Sequence, residues 1–155
     1  MHPSSGGFTL VELITAVALI GVLSVALAPN VSDWTEKRGV TVEVDESKIL
    51  LSYAKAYSIS NRIATRVTYD EGSSSLVVSS GGALKTCATS AGWQRLNTKV
   101  KIKKSKIKIA ATDTAICFYR DGSASGGEIE FTNNHARYVL AVFSATGFIE
   151  LRKEG

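Results

Sequence analysis

Glu12 is the residue whose setting first demands a chemical explanation. It is the single charge among the 21 residues from Phe8 to Ala28. A carboxylate inside such an apolar run costs about 2.5–3.5 kcal/mol in lipid unless it is paired or reaches the interface. Its chemistry is therefore that of a charge waiting for an opposite charge. A second set of candidates is basic. Lys99, Lys101, Lys103, Lys104, Lys106 and Lys108 fall within ten residues and outweigh the chain's net charge of +4. They could form an electrostatic track for the phosphates of DNA. They could equally be a solvated sheet face, or an edge strand charged against aggregation. No aromatic residues interleave for base stacking. His135 sits in a turn-like Asn133-Asn134-His135, where solvent exposure is expected. No nucleophile, base and orienting group can be picked out by spacing, so neither catalysis, a cofactor nor a small-molecule substrate is expected. Cys87, Cys117 and His135 lack the spacing of metal ligands.

The element that must carry Glu12 is a helix. Phe8 to Ala28 at about 1.5 Å per residue reaches roughly 32 Å, close to the hydrocarbon thickness of a bilayer. Met1 to Gly7 (MHPSSGG) is a short polar leader. Its small-residue junction precedes the apolar run, whereas a secretory signal peptide is cut after it. Pro29 follows the run and removes the amide that would bond the carbonyl of Val25. Ala16, Ala18, Gly21, Ser24 and Ala28 are small positions where helices can approach closely.

Taken together, GFTLVELITAVALIGVLSVALAPN resembles the N-terminus of type IV pilins and pseudopilins. The resemblance implies prepilin-peptidase cleavage between Gly7 and Phe8 and methylation of the Phe8 amine. It also implies that Glu12 pairs with the Phe8 ammonium of a neighbouring subunit, and that Pro29 is the proline near the span's end. The leader lacks Lys and Arg, while Lys37 and Arg38 follow the span. Charge bias alone would put the head in the cytoplasm; the cleavage motif implies the opposite side of the inner membrane. With an extracytoplasmic head, Cys87 and Cys117 are expected to form a disulfide. The alternative is two buried thiols, since Cys117 lies in the apolar run Ile116-Cys117-Phe118-Tyr119.

The rest of the chain divides into 30–64, read as an amphipathic helical region, and 65–155, a β-rich head after the leader 1–7 and the assembly helix 8–29. Ile49, Leu50, Tyr53, Ala56, Tyr57, Ile63 and Ala64 form a candidate core stripe, opposite Lys48, Ser52, Lys55 and Arg62. Gly39 and the alternating β-branched residues of Val40-Thr41-Val42-Glu43-Val44 predict a weakened or interrupted helix near 39–44. From Thr65 the period becomes two. Strands are predicted at 65–70, 76–79, 98–103, 106–110, 115–119, 127–132, 137–144 and 147–152, with a turn or bulge where the lysine phase flips at Lys103-Lys104. Close spacing predicts antiparallel hairpins. The class is α+β: a long N-terminal helix, membrane-spanning then amphipathic, packed on an antiparallel β-sheet head.

The stretch FYRDGSASGGEI, with Ala145-Thr146-Gly147 before a final strand, is similar to the C-terminal part of H-type minor pseudopilins and related minor pilins. A glycine-rich loop of this kind could cradle phosphate, but no strand–loop–helix context surrounds it, and a hairpin connection is expected. The resemblance implies a structural subunit near a filament tip, serving type II secretion or a type IV pilus. Its implied partners are the prepilin peptidase, other minor and major pilins or pseudopilins, and the inner membrane. A DNA-binding pilin using the lysine strand is the alternative.

Overall fold

The computed structural model describes residues 9–81, 87, 92–111, 114–134 and 136–154, and for 25–37 the backbone alone. The chain forms two compact units, Met1–Glu36 and Lys37–Gly155. One helix, α1 (Leu10–Asn61), contributes to both. Eight strands follow: β1 (Ala64–Asp70), β2 (Ser75–Gly81), β3 (Trp93–Lys101), β4 (Lys106–Ala110), β5 (Ala115–Phe118), β6 (Gly127–Thr132), β7 (Arg137–Val142) and β8 (Ile149–Glu154).

In the first unit, the side chains from Leu10 to Ser24 are exposed on every side of the helix. A helix apolar all round has no self-sufficient packing in water and needs other apolar partners. Its few polar side chains are satisfied locally: the Thr15 hydroxyl donates to the carbonyls of Val11 and Glu12, and the Ser24 hydroxyl to that of Ile20. Among the described residues, no helical stretch is long and apolar enough to cross a membrane.

In the second unit the strands form two antiparallel sheets, ordered β3-β2-β1-β5 and β4-β6-β7-β8. The antiparallel pairing expected from the close spacing is observed throughout, with consecutive strands paired within β1-β2-β3 and β6-β7-β8. β4 and β5 exchange sheets, because β5 pairs with β1 through Val67↔Ile116 while β4 pairs with β6 through Ile109↔Ile129. A common core joins Val40, Val44, Leu51 and Ala54 of α1 to Val67, Leu76, Val78 and Ile116 of one sheet and Ile129, Phe131 and Leu140 of the other. Burying a side chain of this size is worth about 1.5–3 kcal/mol, so this layer supplies most of the driving force for folding.

The helix does not weaken at 39–44; it is continuous there. Val40, Glu43, Val44 and Ser47 fall at helical spacing and are all buried, so packing overrides the β propensity of the branched residues. The core stripe also differs from the one expected. The buried line is Val40, Val44, Ser47, Leu51, Ala54 and Ser58, with Leu50 beside it, while Ile49, Tyr53 and Ala56 face outward. The stripe was masked because its face includes hydroxyls. Ser47 donates to the Glu43 carbonyl, and Ser58 to the carbonyls of Lys55 and Tyr119. From the strand side, the buried Thr65 hydroxyl donates to the Ala54 carbonyl.

Candidate assembly site and helix clasp

Glu12 lies in the first turn of α1, exposed, with no ion pair to any described residue. Its amide donates to the Thr9 hydroxyl at 3.4 Å and to the Thr9 carbonyl at 3.1 Å. Thr9 is thus the N-cap, and Thr9-x-x-Glu12 has the sequence form of a capping box. That signal was readable from the sequence and was missed. The helix start is therefore fixed one residue after Phe8, and the carboxylate stands at the helix's positive end. Gly7 and Phe8 lie outside the described residues. α1 runs through Pro29, whose side chain also lies outside them.

The head is clasped to the helix at Glu43. This carboxylate is 6 % exposed. Its Oε1 accepts the amides of Lys103 at 2.6 Å and Lys104 at 2.7 Å, and its Oε2 accepts the Ser105 hydroxyl at 2.8 Å. Buried charge is tolerated because donors surround it. Gly39, one turn earlier, explains itself here. A Cβ at that position would lie 2.9 Å from the Lys104 Cγ, so glycine gives the lysine stem room on the helix. Sequence reasoning missed Glu43 because it read Val42-Glu43-Val44 as strand-like alternation.

The six lysines do not form one track. Lys99 and Lys101 lie on β3, Lys106 and Lys108 on β4, and Lys103 and Lys104 in the turn between them, where the phase flip predicted a break. β3 ends at Lys101 rather than at Lys103. Each strand is an edge of its own sheet. All six side chains are exposed, with Val100 and Ile102 buried between them. This is the arrangement by which charged side chains blunt sheet edges against pairing with other chains.

Cys87 and Cys117 form a disulfide with Cα atoms 5.8 Å apart. The bridge ties the segment after β2 to edge strand β5 and packs with Ala115, Trp93 and Tyr119. The glycine-rich stretch is a turn. Asp121 Oδ1 accepts the amide and hydroxyl of Ser123, and the Gly122 amide donates to the Tyr119 carbonyl. Phe118 and Ala124 then pair in an isolated antiparallel bridge before the chain crosses to β6 in the other sheet, so the link between the two strands is not the expected hairpin. His135 lies outside the described residues.

Across the outer face of the second sheet, Arg137 pairs with Glu130 and Glu154, and Arg152 with Glu150 and Glu128. The Thr132 hydroxyl, and then Arg137, hold the Glu130 carboxyl below its ordinary range. Asp70 is held down first by the Ser73 hydroxyl and also by Arg95, with burial opposing. These exposed pairs are worth little individually; their use is to fix register.

A spine helix under an antiparallel head is the pilin fold, and solved structures share it. The type IV minor pilin FimU of Pseudomonas aeruginosa matches in two crystal forms. One is 17% identical with a TM-score of 0.53, covering 72% of this chain and 91% of FimU. The other is 18% identical with a TM-score of 0.55, covering 77% and 92%. The minor pseudopilin EpsH from the type 2 secretion system of Vibrio cholerae is 12% identical with a TM-score of 0.55, covering 72% of this chain and 96% of EpsH. At such identities these likenesses establish the fold. Among curated proteins, no sequence matches significantly.

Residues 3–28 match the prokaryotic N-terminal methylation motif. Residues 33–147 match the model of the type II transport protein GspH, and the chain belongs to that family. It is a structural subunit of the minor pilin and pseudopilin class, of type II secretion or type IV pili.

Proposed function

We propose that this chain is a minor subunit placed near the tip of a type II secretion pseudopilus or type IV pilus, where it helps initiate assembly. The observation that carries the reading is a carboxylate, Glu12, with no ion pair to any described residue, in the first turn of the mainly apolar, exposed 10–24 stretch of α1 and within a match to the N-terminal methylation motif. Prepilin peptidase cuts between Gly7 and Phe8, removing the leader 1–7, and methylates the new amine of Phe8. Segment 8–29, ending near Pro29, then holds the subunit in the inner membrane with its head, including 65–155, on the extracytoplasmic side. During assembly Glu12 meets the Phe8 ammonium of an adjacent pilin or pseudopilin, and each charge removes the other's desolvation penalty. The subunit's work is packing, with no catalytic step. The disulfide suits an oxidising compartment.

Replacing Glu12 by Ala tests the pairing. The variant is expected to remain in the membrane fraction but to be missing from sheared filaments. Incorporation at the wild-type level would remove the pairing role.

A further inference from the structure

Glu43 is bonded to backbone amides and a hydroxyl of the β3–β4 turn, not to its ammonium groups. Lys101, Lys103, Lys104 and Lys106 are all exposed, and among the described residues none of them makes an ion pair. Acids at this end of the sheets are largely engaged elsewhere: Asp70 pairs with Arg95, and Glu154 with Arg137. Glu71, exposed on the β1–β2 turn, offsets one of the four charges; the Ile102 amide joins the two turns by donating to the Ser74 carbonyl. Protection of sheet edges accounts for lysines on β3 and β4. It does not account for Lys103 and Lys104, which lie in the turn outside both strands.

The turn is fixed at one place on α1. Glu43 anchors its backbone, and the Lys104 stem lies over Gly39, where a Cβ would come within 2.9 Å of the Lys104 Cγ and 3.6 Å of its Cδ. Gly39 follows Ala28, the last residue of the apolar run, by 11 residues. α1 is helical throughout that stretch, which at 1.5 Å per residue is about 16 Å of helix. The headgroup layer extends about 5–8 Å beyond the hydrocarbon on each side. Attraction to it carries about 8 Å further at physiological ionic strength. Those two lengths nearly match the helical stretch, and flexible lysine stems cover the remainder. Lys37 and Arg38 stand nearer still in the chain.

We infer that the β3–β4 turn, through Lys101, Lys103, Lys104 and Lys106, docks on the anionic phospholipid headgroups of the leaflet in which the subunit waits before assembly. A lipid surface offers dense, mobile phosphates that meet four clustered ammonium groups without a fixed geometry. Duplex DNA calls for cations along a track, whereas these gather at one turn and their neighbours Lys99 and Lys108 diverge onto separate sheets. Each lysine near an anionic membrane strengthens attachment about fivefold. The role rests on the reading of 8–29 as a membrane span. Docking holds the head to the leaflet until filament growth draws the subunit out. It also gives Lys37 and Arg38 a use on the side of the membrane that charge bias disfavours.

The test reconstitutes the full chain in phosphatidylcholine vesicles with and without phosphatidylglycerol, and follows acetylation of each lysine by a neutral reagent using mass spectrometry. With phosphatidylglycerol, Lys101, Lys103, Lys104 and Lys106 are expected to react about fivefold more slowly or slower still. Lys48, more than two turns beyond Gly39 on α1, should change by less than about twofold. Protection should vanish in about 1 M salt, where the Debye length is about 3 Å. Lys103→Gln with Lys104→Gln removes two charges, lowers the docking constant about thirtyfold and returns Lys101 and Lys106 to their rates on phosphatidylcholine. Lys103→Arg with Lys104→Arg keeps them protected. Equal rates in the two vesicles, or protection that survives the Gln pair, overturn the docking surface; resistance of the chain to alkaline extraction then shows that the span still stands. Retention of duplex DNA through Lys103 and Lys104, without protection by phosphatidylglycerol, overturns it in favour of nucleic acid. A chain that alkali strips from the vesicles fails as a membrane span, and the docking surface falls with it.

Discussion

Replacing Glu43 by Ala removes the carboxylate that bonds the β3–β4 turn to the helix. Three donors lose their acceptor: the amides of Lys103 and Lys104 and the Ser105 hydroxyl. An orphaned buried donor costs about 1–3 kcal/mol. These bonds are only partly buried, so the low end applies. About 1 kcal/mol for each donor gives a loss of about 3 kcal/mol. For a head of this size that lowers the melting temperature by about 10 °C. Glu43→Gln keeps an oxygen for the two amides and loses the charge, so it should cost only about 1 kcal/mol. Lys103→Ala should cost almost nothing, because the backbone amide makes the bond. Thermal unfolding of the full chain in detergent, followed by circular dichroism, reads all three. Finding Glu43→Ala within 1 kcal/mol of wild type, or Lys103→Ala as costly, would show that the clasp does not hold the helix.

Other perturbations probe separate parts of the molecule. Gly147→Ala forces a Cβ into a left-handed backbone against the Gly122 carbonyl and should destabilise by about 1–3 kcal/mol, measured by denaturant unfolding. Breaking the 30-residue separation between Cys87 and Cys117 by Cys87→Ser should cost about 3–4 kcal/mol in the chain-entropy account, with reductant having the same effect on wild type and none on the variant. Asp70 and Glu130 have folded pKa values depressed below 3.8 and 4.5, so the stability they add is present above those values and is lost as pH falls through the folded pKa. Thr132→Val should move the Glu130 titration upward in carbonyl NMR, since the Thr132 hydroxyl is the largest cause of its depression.

Much of the fold could be read from residue order. Wherever apolar and polar residues alternated between turn-forming clusters, a strand was found; for Lys106–Ala110 and Gly127–Thr132 even the ends coincide. The N-terminal half of β3 was missed because Trp93-Gln94-Arg95-Leu96-Asn97 sits half-exposed on an edge and shows no clean alternation. Partition into two sheets was not legible, because it depends on which distant strand β4 and β5 meet, and no local pattern encodes that choice. The buried side of the helix was misjudged for a related reason. Glu43, Ser47 and Ser58 go inside because specific acceptors and donors await them there, which hydrophobicity cannot announce. Outward apolar residues such as Ile49 and Tyr53 then looked like core. The N-terminal site was legible as a pattern of types, since a lone acid in an apolar run is conspicuous without any coordinates.

The amine that Glu12 awaits is measured directly by intact-mass spectrometry of the protein purified from cells with an active prepilin peptidase. The expected species begins at Phe8 and carries one methyl group on its amine. A chain still beginning at Met1 would leave Glu12 without its partner and would contradict assembly by charge pairing.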